Sequence, residues 1–238
     1  EVDVAVLADG GRQVAVTGQP ELSGTAVSVP ADISSAAFPL VAALTTAGSR
    51  VTVRGVGINP LRTGLLETLT EMGARMSIFD CRERSGEPIA AITAESSSLR
   101  GVDVPAARVP AMIDEFPILA VAAACASGVT RMSGLAELKV KESDRLTAIA
   151  TGLRACGVKV ESGEDWLAIE GCAGPPAGGG RVAVQFDHRI AMAFLVLGMA
   201  SQASVTIDDA RAIATSFPGF TELMNGLGAR INADGGIS

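Results

Sequence analysis

One pattern occurs three times along this chain, and it restricts the fold more than any other feature. An Asp opens an apolar helix in each copy: Asp32 before a helix ending near Gly48, Asp114 before one ending near Gly128, Asp187 before one ending near Gln202. A short strand follows (Val51 and Val53, then Thr130 to Ser133, then Val205 to Ile207), and a second helix comes after it. That helix stops at a Gly-centred motif: Met72-Gly73-Ala-Arg-Met76, Cys156-Gly157-Val-Lys-Val160 and Leu227-Gly228-Ala-Arg-Ile231. Glycine suits such a stop because it accepts the left-handed conformation that closes a helix. Each copy therefore reads as strand–helix–strand–helix–strand with a closing hairpin, for which Ile92 and residues 166–169 supply examples. Units this elaborate do not stack as a solenoid. They are expected to close around a pseudo-threefold axis, with the first helices buried in the middle and the sheets outside: an α/β (α+β) domain of three βαβαβ(β) units, about residues 30–100, 101–171 and 172–238.

The segment before the repeats reads differently. Residues 1–29 alternate apolar and polar (Val2, Val4, Val6; Val14, Val16) around Asp9-Gly10-Gly11, a hairpin signal, with a Gly/Pro loop and a further strand at Val27 and Val29. Pro30 ends that strand. Asn59-Pro60 and Thr215-Ser216-Phe-Pro218 are expected to open second helices, and residues 81–88 and 174–180 to be surface connections.

Charge is concentrated where the second copy's second helix begins. Glu137-Leu-Lys-Val-Lys-Glu-Ser-Asp-Arg145 packs six charged side chains into nine residues of a chain that is 19% charged. Leu146, Ile149, Ala150 and Leu153 follow at helical spacing, which puts the charges at a helix N-terminus, with Ser143 or a neighbour as cap. Lys141 and Arg145, four apart, are expected to share a face, where a bound anion would relieve their mutual repulsion. The plainer alternative is an i, i+3 ion pair of Glu142 with Arg145 on a surface helix. If the copies are related by rotation, six helix N-termini point to one end of the domain. Asp114-Glu115, Lys141-Glu142, Arg145 and Asp187-His188-Arg189 then share a rim, while copy one offers only Ser34, Ser35 and Asn59.

Composition narrows the function classes. With 238 residues and 48% hydrophobic content the chain can bury a large core, and 3% aromatics make that core aliphatic. A net charge of −7 argues against a general nucleic-acid binder. The longest apolar run, residues 190–200, is too short to span a bilayer. The four cysteines show no CxxC spacing and read as reduced, buried thiols of a cytoplasmic protein; with a single His they leave no metal constellation, and no cofactor is expected. The opening without Met, in mid-pattern, reads as the middle of a longer polypeptide.

Val-Lys-Glu-Ser-Asp-Arg145, Asp187-His-Arg-Ile-Ala-Met192 and Thr215-Ser-Phe-Pro218 together closely resemble the 5-enolpyruvylshikimate-3-phosphate synthase (3-phosphoshikimate 1-carboxyvinyltransferase) family. Asp32-Ile-Ser-Ser-Ala and Ile113-Asp-Glu-Phe-Pro117 fit as well. The likeness covers essentially the whole chain and implies an EPT/RTPC-like fold. It implies that residues 30–238 are the C-terminal enolpyruvyl transferase domain, that residues 1–29 are the tail of the N-terminal domain and the hinge, and that this half alone is inactive. The substrates implied are shikimate 3-phosphate and phosphoenolpyruvate, in the pathway to chorismate and aromatic amino acids. The partner implied is the missing N-terminal domain, and the full-length enzyme is expected to be a monomer. A transferase acting on UDP-N-acetylglucosamine and a non-catalytic anion-binding module are the alternatives.

The resemblance also assigns roles. Asp114 matches the family's proton acceptor and a shikimate 3-phosphate contact, although alone it reads more readily as a helix N-cap. Lys141 matches a lysine near the 5-hydroxyl, and Glu142 a carboxylate for proton shuttling at C3 of phosphoenolpyruvate. Arg145 and Arg189 match phosphoenolpyruvate-binding arginines. His188, the only His, reads as an auxiliary contact or as a structural residue. Many members carry Lys at the position of Thr215, where it contacts phosphoenolpyruvate. That contact is not carried over, and the Thr version resembles the class II branch. Glu137 is not assigned as a ligand, because a carboxylate there would repel the substrate phosphate.

Overall fold

Helices without a polar face must bury against one another. In the computed structural model, which describes residues 2–19 and 21–232, the three Asp-opened helices do so. Helix α1 (Ile33–Thr45), α3 (Phe116–Cys125) and α5 (His188–Ala200) each pack on the other two. In α3 every residue but Cys125 is buried. The helices between them are α2 (Gly64–Glu71) and α4 (Arg145–Ala155), and the third copy ends with α6 (Ile213–Ser216) and α7 (Phe220–Gly226).

The strands form the outer layer. In copy one they are β3 (Arg50–Gly57), β4 (Arg75–Arg84) and β5 (Glu87–Glu95), ordered β3-β5-β4 and antiparallel. In copy two they are β6 (Asp103–Val104), β7 (Ser127–Ser133), β8 (Lys159–Ser162) and β9 (Trp166–Cys172), ordered β6-β7-β9-β8. Copy three shows the parallel pair β10 (Arg181–Val182) and β11 (Thr206–Ile207). The correspondence extends to single residues, because Ala31 bridges Val56 in parallel as β6 pairs with β7. Each copy thus begins with a short parallel pairing across its first helix.

The three helix stops are alike down to their hydrogen bonds. Gly73, Gly157 and Gly228 take φ of 86°, 79° and 104°. The residue after each Gly donates its amide five residues back, Ala74 to Leu69, Val158 to Leu153 and Ala229 to Met224. That is the Schellman closure, which satisfies carbonyls the helix end would otherwise leave bare.

Several sequence expectations need correction. Val27 and Val29 form no strand; among the described residues only the hairpin β1 (Val2–Val6) and β2 (Arg12–Val16) precedes the repeats, turning at Asp9-Gly10. Residues 81–88 are not a loop but the end of β4, a two-residue turn at Ser85-Gly86, and the start of β5. Thr215 and Ser216 end α6, and α7 opens instead after Gly219, whose φ is 80°. Copy three has no closing hairpin among the described residues. Glu1, Pro20 of the expected Gly/Pro loop, and the end of copy three at 233–238 lie outside them. All four cysteines are free, but Cys81 and Cys172 are exposed and only Cys156 is fully buried. Cys125, largely buried beside Cys172, has its thiol pushed up to about 12, first by burial and then by that neighbour.

Where α4 crosses α5 the fit leaves no spare volume. A methyl group on Gly152 would lie 2.2 Å from the ring of Phe194. Alanine at an exposed helix position stabilises by up to ~1 kcal/mol over Gly, yet overpacking a filled contact costs ~1–3 kcal/mol. Gly152→Ala is therefore expected to lower the thermal unfolding midpoint, the opposite of the helix-propensity expectation.

Candidate functional site

The site begins with how each first helix is capped. Asp32 accepts from the amides of Ser34 and Ser35, and Asp187 from those of Arg189 and Ile190. The equivalent donors in copy two belong to Phe116 and Pro117, and proline has no amide hydrogen. Asp114 accordingly caps nothing. It sits in a 3₁₀ turn, Ile113–Glu115, and α3 starts two residues later. The proline leaves the Asp114 carboxylate available for side chains.

Three cations take it up. Arg145 Nη1 donates to Asp114 Oδ1 at 3.2 Å. Lys141 Nζ lies 3.9 Å from that oxygen, and Arg189 Nη2 3.6 Å from Oδ2. Arg189 Nη1 also donates to the Asp114 carbonyl at 3.2 Å. The structure therefore brings Asp114, Lys141, Glu142, Arg145, His188 and Arg189 to one region at the N-terminal ends of α3, α4 and α5.

Arg145 is the centre of this region and is not a surface residue. Its side chain is 0% exposed, as is that of its partner Asp187. Nε donates to Asp187 Oδ2 at 2.8 Å, and Nη2 donates to Asp187 Oδ1 at 3.4 Å and to Glu142. Ser143 Oγ donates to Asp187 Oδ2 at 3.0 Å. Burial alone would raise the Asp187 pKa. The bond to Arg145 and its charge, with the Ser143 hydroxyl and the Arg189 amide, outweigh burial and hold the group below its ordinary 3.8.

Lys141 and Arg145 do not share a helix face. The 3₁₀ segment Ala136–Val140 ends just before Lys141, Asp144 caps α4 through the Thr147 amide, and α4 starts at Arg145. Lys141 is held instead by Glu137, at 2.6 Å. The three cations thus already have carboxylate partners within the chain, so a bound anion is not required to keep them together. His188 is half-buried, and burial followed by the Arg189 charge lowers its pKa from 6.5 against the opposing pull of Asp187 and Glu142. The Thr215 hydroxyl bonds the Ala212 carbonyl at 2.7 Å.

Sequence reasoning placed Asp187 on the rim as a helix opener and copy one's Ser34 there as an uncharged residue. Asp187 in fact joins copy three to copy two. Ser34 donates to buried Glu115 and accepts from Arg62 Nη2 at 3.0 Å. Arg62 was missed, because it stands in an unremarkable Asn-Pro-Leu-Arg turn with no charged neighbour in sequence. Among the described residues no group of His, Cys, Asp and Glu could hold a metal ion, and no helix is long and apolar enough to cross a membrane.

A family model for EPSP synthase (3-phosphoshikimate 1-carboxyvinyltransferase) matches residues 2–224. A protein named 3-phosphoshikimate 1-carboxyvinyltransferase from Paramagnetospirillum magneticum is 60% identical over 225 residues, 94% of this chain and 50% of its own length. One of the same name from Rhodospirillum rubrum is 61% identical over 223 residues, 94% of this chain and 49% of its own. The chain spans about half the length of the curated relatives it matches. The solved structure of EPSP synthase from Acinetobacter baumannii superposes with a TM-score of 0.89 at 44% identity, over 97% of this chain and 52% of that one. The enolpyruvyl transferase NikO from Streptomyces tendae has the same fold, with a TM-score of 0.73 at 20% identity, over 97% of this chain and 51% of its own.

Removing one partner of a buried ion pair strands the other, at a cost of ~3–5 kcal/mol. Asp187→Asn keeps the shape and leaves Arg145 short of a charge, so a loss of that order is expected in denaturant unfolding at neutral pH. The wild-type pKa is depressed, so the ion pair's contribution is complete above pH 3.8 and is lost as pH falls through the folded value. The gap between variant and wild type should close over that acid range.

Proposed function

The chain belongs to the EPSP synthase (3-phosphoshikimate 1-carboxyvinyltransferase) family, and from that premise we propose that it is the C-terminal half of an enzyme transferring the enolpyruvyl group of phosphoenolpyruvate to the 5-hydroxyl of shikimate 3-phosphate, with release of phosphate. The observation that carries this reading is the Asp114 carboxylate lying within 4 Å of Lys141, Arg145 and Arg189, drawn from two copies of the repeat.

The reaction is addition followed by elimination. The 5-hydroxyl oxygen attacks C2 of phosphoenolpyruvate while C3 gains a proton; the adduct then loses that proton and phosphate. Asp114 accepts the hydroxyl proton, and Lys141 beside it favours the alkoxide as it develops. Arg189, 14% exposed in its side chain, presents a guanidinium to the phosphoenolpyruvate anion, whose carboxylate or phosphate matches its planar fork.

The burial of Arg145 adds one step to that scheme. Its Nη2 is covered by Glu142, whose carboxylate is 49% exposed. An incoming phosphoenolpyruvate anion takes that place on Arg145 and releases Glu142, which, freed of the Arg145 charge, takes up a proton from water, gives it to C3 and takes it back. His188 lies beside Glu142 and Arg189 as an auxiliary contact.

Charge accounting supports a second half. Around the rim stand Asp114, Glu115, Glu137, Glu142 and Asp187 against Lys141, Arg145, Arg189 and Arg62. This surface is not positive enough for two phosphorylated substrates. Further cations come from the N-terminal domain, and the chain alone is inactive. The same reading places the enzyme in the cytoplasm, with which four free cysteines agree, and in the route to aromatic amino acids.

The test is turnover by the full-length enzyme with product analysis. Shikimate 3-phosphate is the expected acceptor; enolpyruvyl transfer to UDP-N-acetylglucosamine alone would overturn the assignment. Lys141→Met is expected to lower kcat by ~10²-fold or more with unchanged circular dichroism. A variant with near-wild-type kcat removes Lys141 from the mechanism.

A further inference from the structure

Glu115 is a buried carboxylate that the reaction as described does not use. It is 1% exposed and is the N-cap residue of α3, yet its side chain makes no cap bond to that helix. Burying a carboxylate is costly unless it is paired, so its partners indicate its purpose. There are two. The Ser34 hydroxyl of α1 donates to Oε1, and Ser34 is itself held by Arg62. Arg189 Nη1 of α5 lies 3.7 Å from Oε1. The remaining charged neighbour is Asp114, on the same turn.

We propose that Glu115 is a positioning residue, which with Ser34 and Arg62 of copy one holds the Arg189 guanidinium in the orientation that receives phosphoenolpyruvate. This rests on the function proposed above. Asp114 also grips Arg189, but Asp114 is accessible and takes up a proton during turnover, so its hold weakens at that moment. Glu115 is sealed from water, takes no proton from substrate, and supplies the counter-charge that stays. Burial raises its pKa, while the Ser34 bond and the Arg189 and Arg62 charges oppose the shift and Asp114 adds to it. Copy one, whose helix-opening acid Asp32 is taken up in capping the Ser34 and Ser35 amides, therefore serves the site through the back of Arg189.

The test is steady-state kinetics of full-length Glu115→Gln, which keeps the shape and the acceptor for Ser34 but removes the charge. The KM for phosphoenolpyruvate is expected to rise about tenfold, the size of an ordinary coupling between contacting groups, with kcat and the KM for shikimate 3-phosphate within about twofold. In an Arg189→Ala background the same substitution should add nothing. Ser34→Ala, which frees the inner end of Glu115, should raise the same KM by about threefold, and it reads the relay if Glu115→Gln does not fold. An unchanged KM for phosphoenolpyruvate, equal losses in all parameters, or a full tenfold effect without Arg189 would each overturn the proposal. Those results count against Glu115 alone where the wild type turns over; a wild type without turnover overturns the proposed function and this role with it.

Discussion

The ion pair between Arg145 and Asp187 is the constraint on which the rest of the molecule depends. Two opposite charges with no access to water are stable only with good geometry and with their remaining hydrogen-bonding capacity used. Both conditions are met: Ser143 and two helix amides complete Asp187, while Asp114 and Glu142 complete Arg145. Because the partners come from different copies, this contact fixes the rotation of copy three against copy two. The apolar helices supply the bulk of the stabilisation but little of that registration, since an aliphatic face can slide where a fork of hydrogen bonds cannot.

The threefold plan and the site pull in different directions. A repeat places equivalent residues at equivalent helix tips, and a site built from unlike side chains needs them to differ. The chain resolves this with small local changes. Proline at 117 removes one of the two amides that would occupy Asp114. Ile33-Ser34 stands where copy three has His188-Arg189. Each change costs little in the core, because the tips lie at its margin, and the Schellman closures at the far end of each unit stay identical.

The fold was largely legible in sequence because its signals are local. The three Asp-opened apolar runs, the Gly stops and the Asp-Gly hairpin were each readable within a few residues. What failed was non-local or depended on one backbone donor. Val27 and Val29 alternate as a strand should, but no neighbour pairs with them. Asp114 was open to reading as a cap because nothing in its own residue type shows that the required amide belongs to a proline. The charged cluster around Arg145 was found, but its burial was not, since the carboxylate that permits burial lies 42 positions away. Arg62 and the burial of Glu115 escaped for the same reason.

The β1–β2 ribbon has a consequence for handling the chain. Both of its faces are exposed, with Val2, Val4, Val6, Val14 and Val16 each more than half accessible. Such a ribbon offers unpaired edges and an apolar surface to any neighbour, the arrangement from which intermolecular sheets grow. If the isolated polypeptide self-associates, this short appendage is the expected route, whatever the solidity of the helical interior behind it.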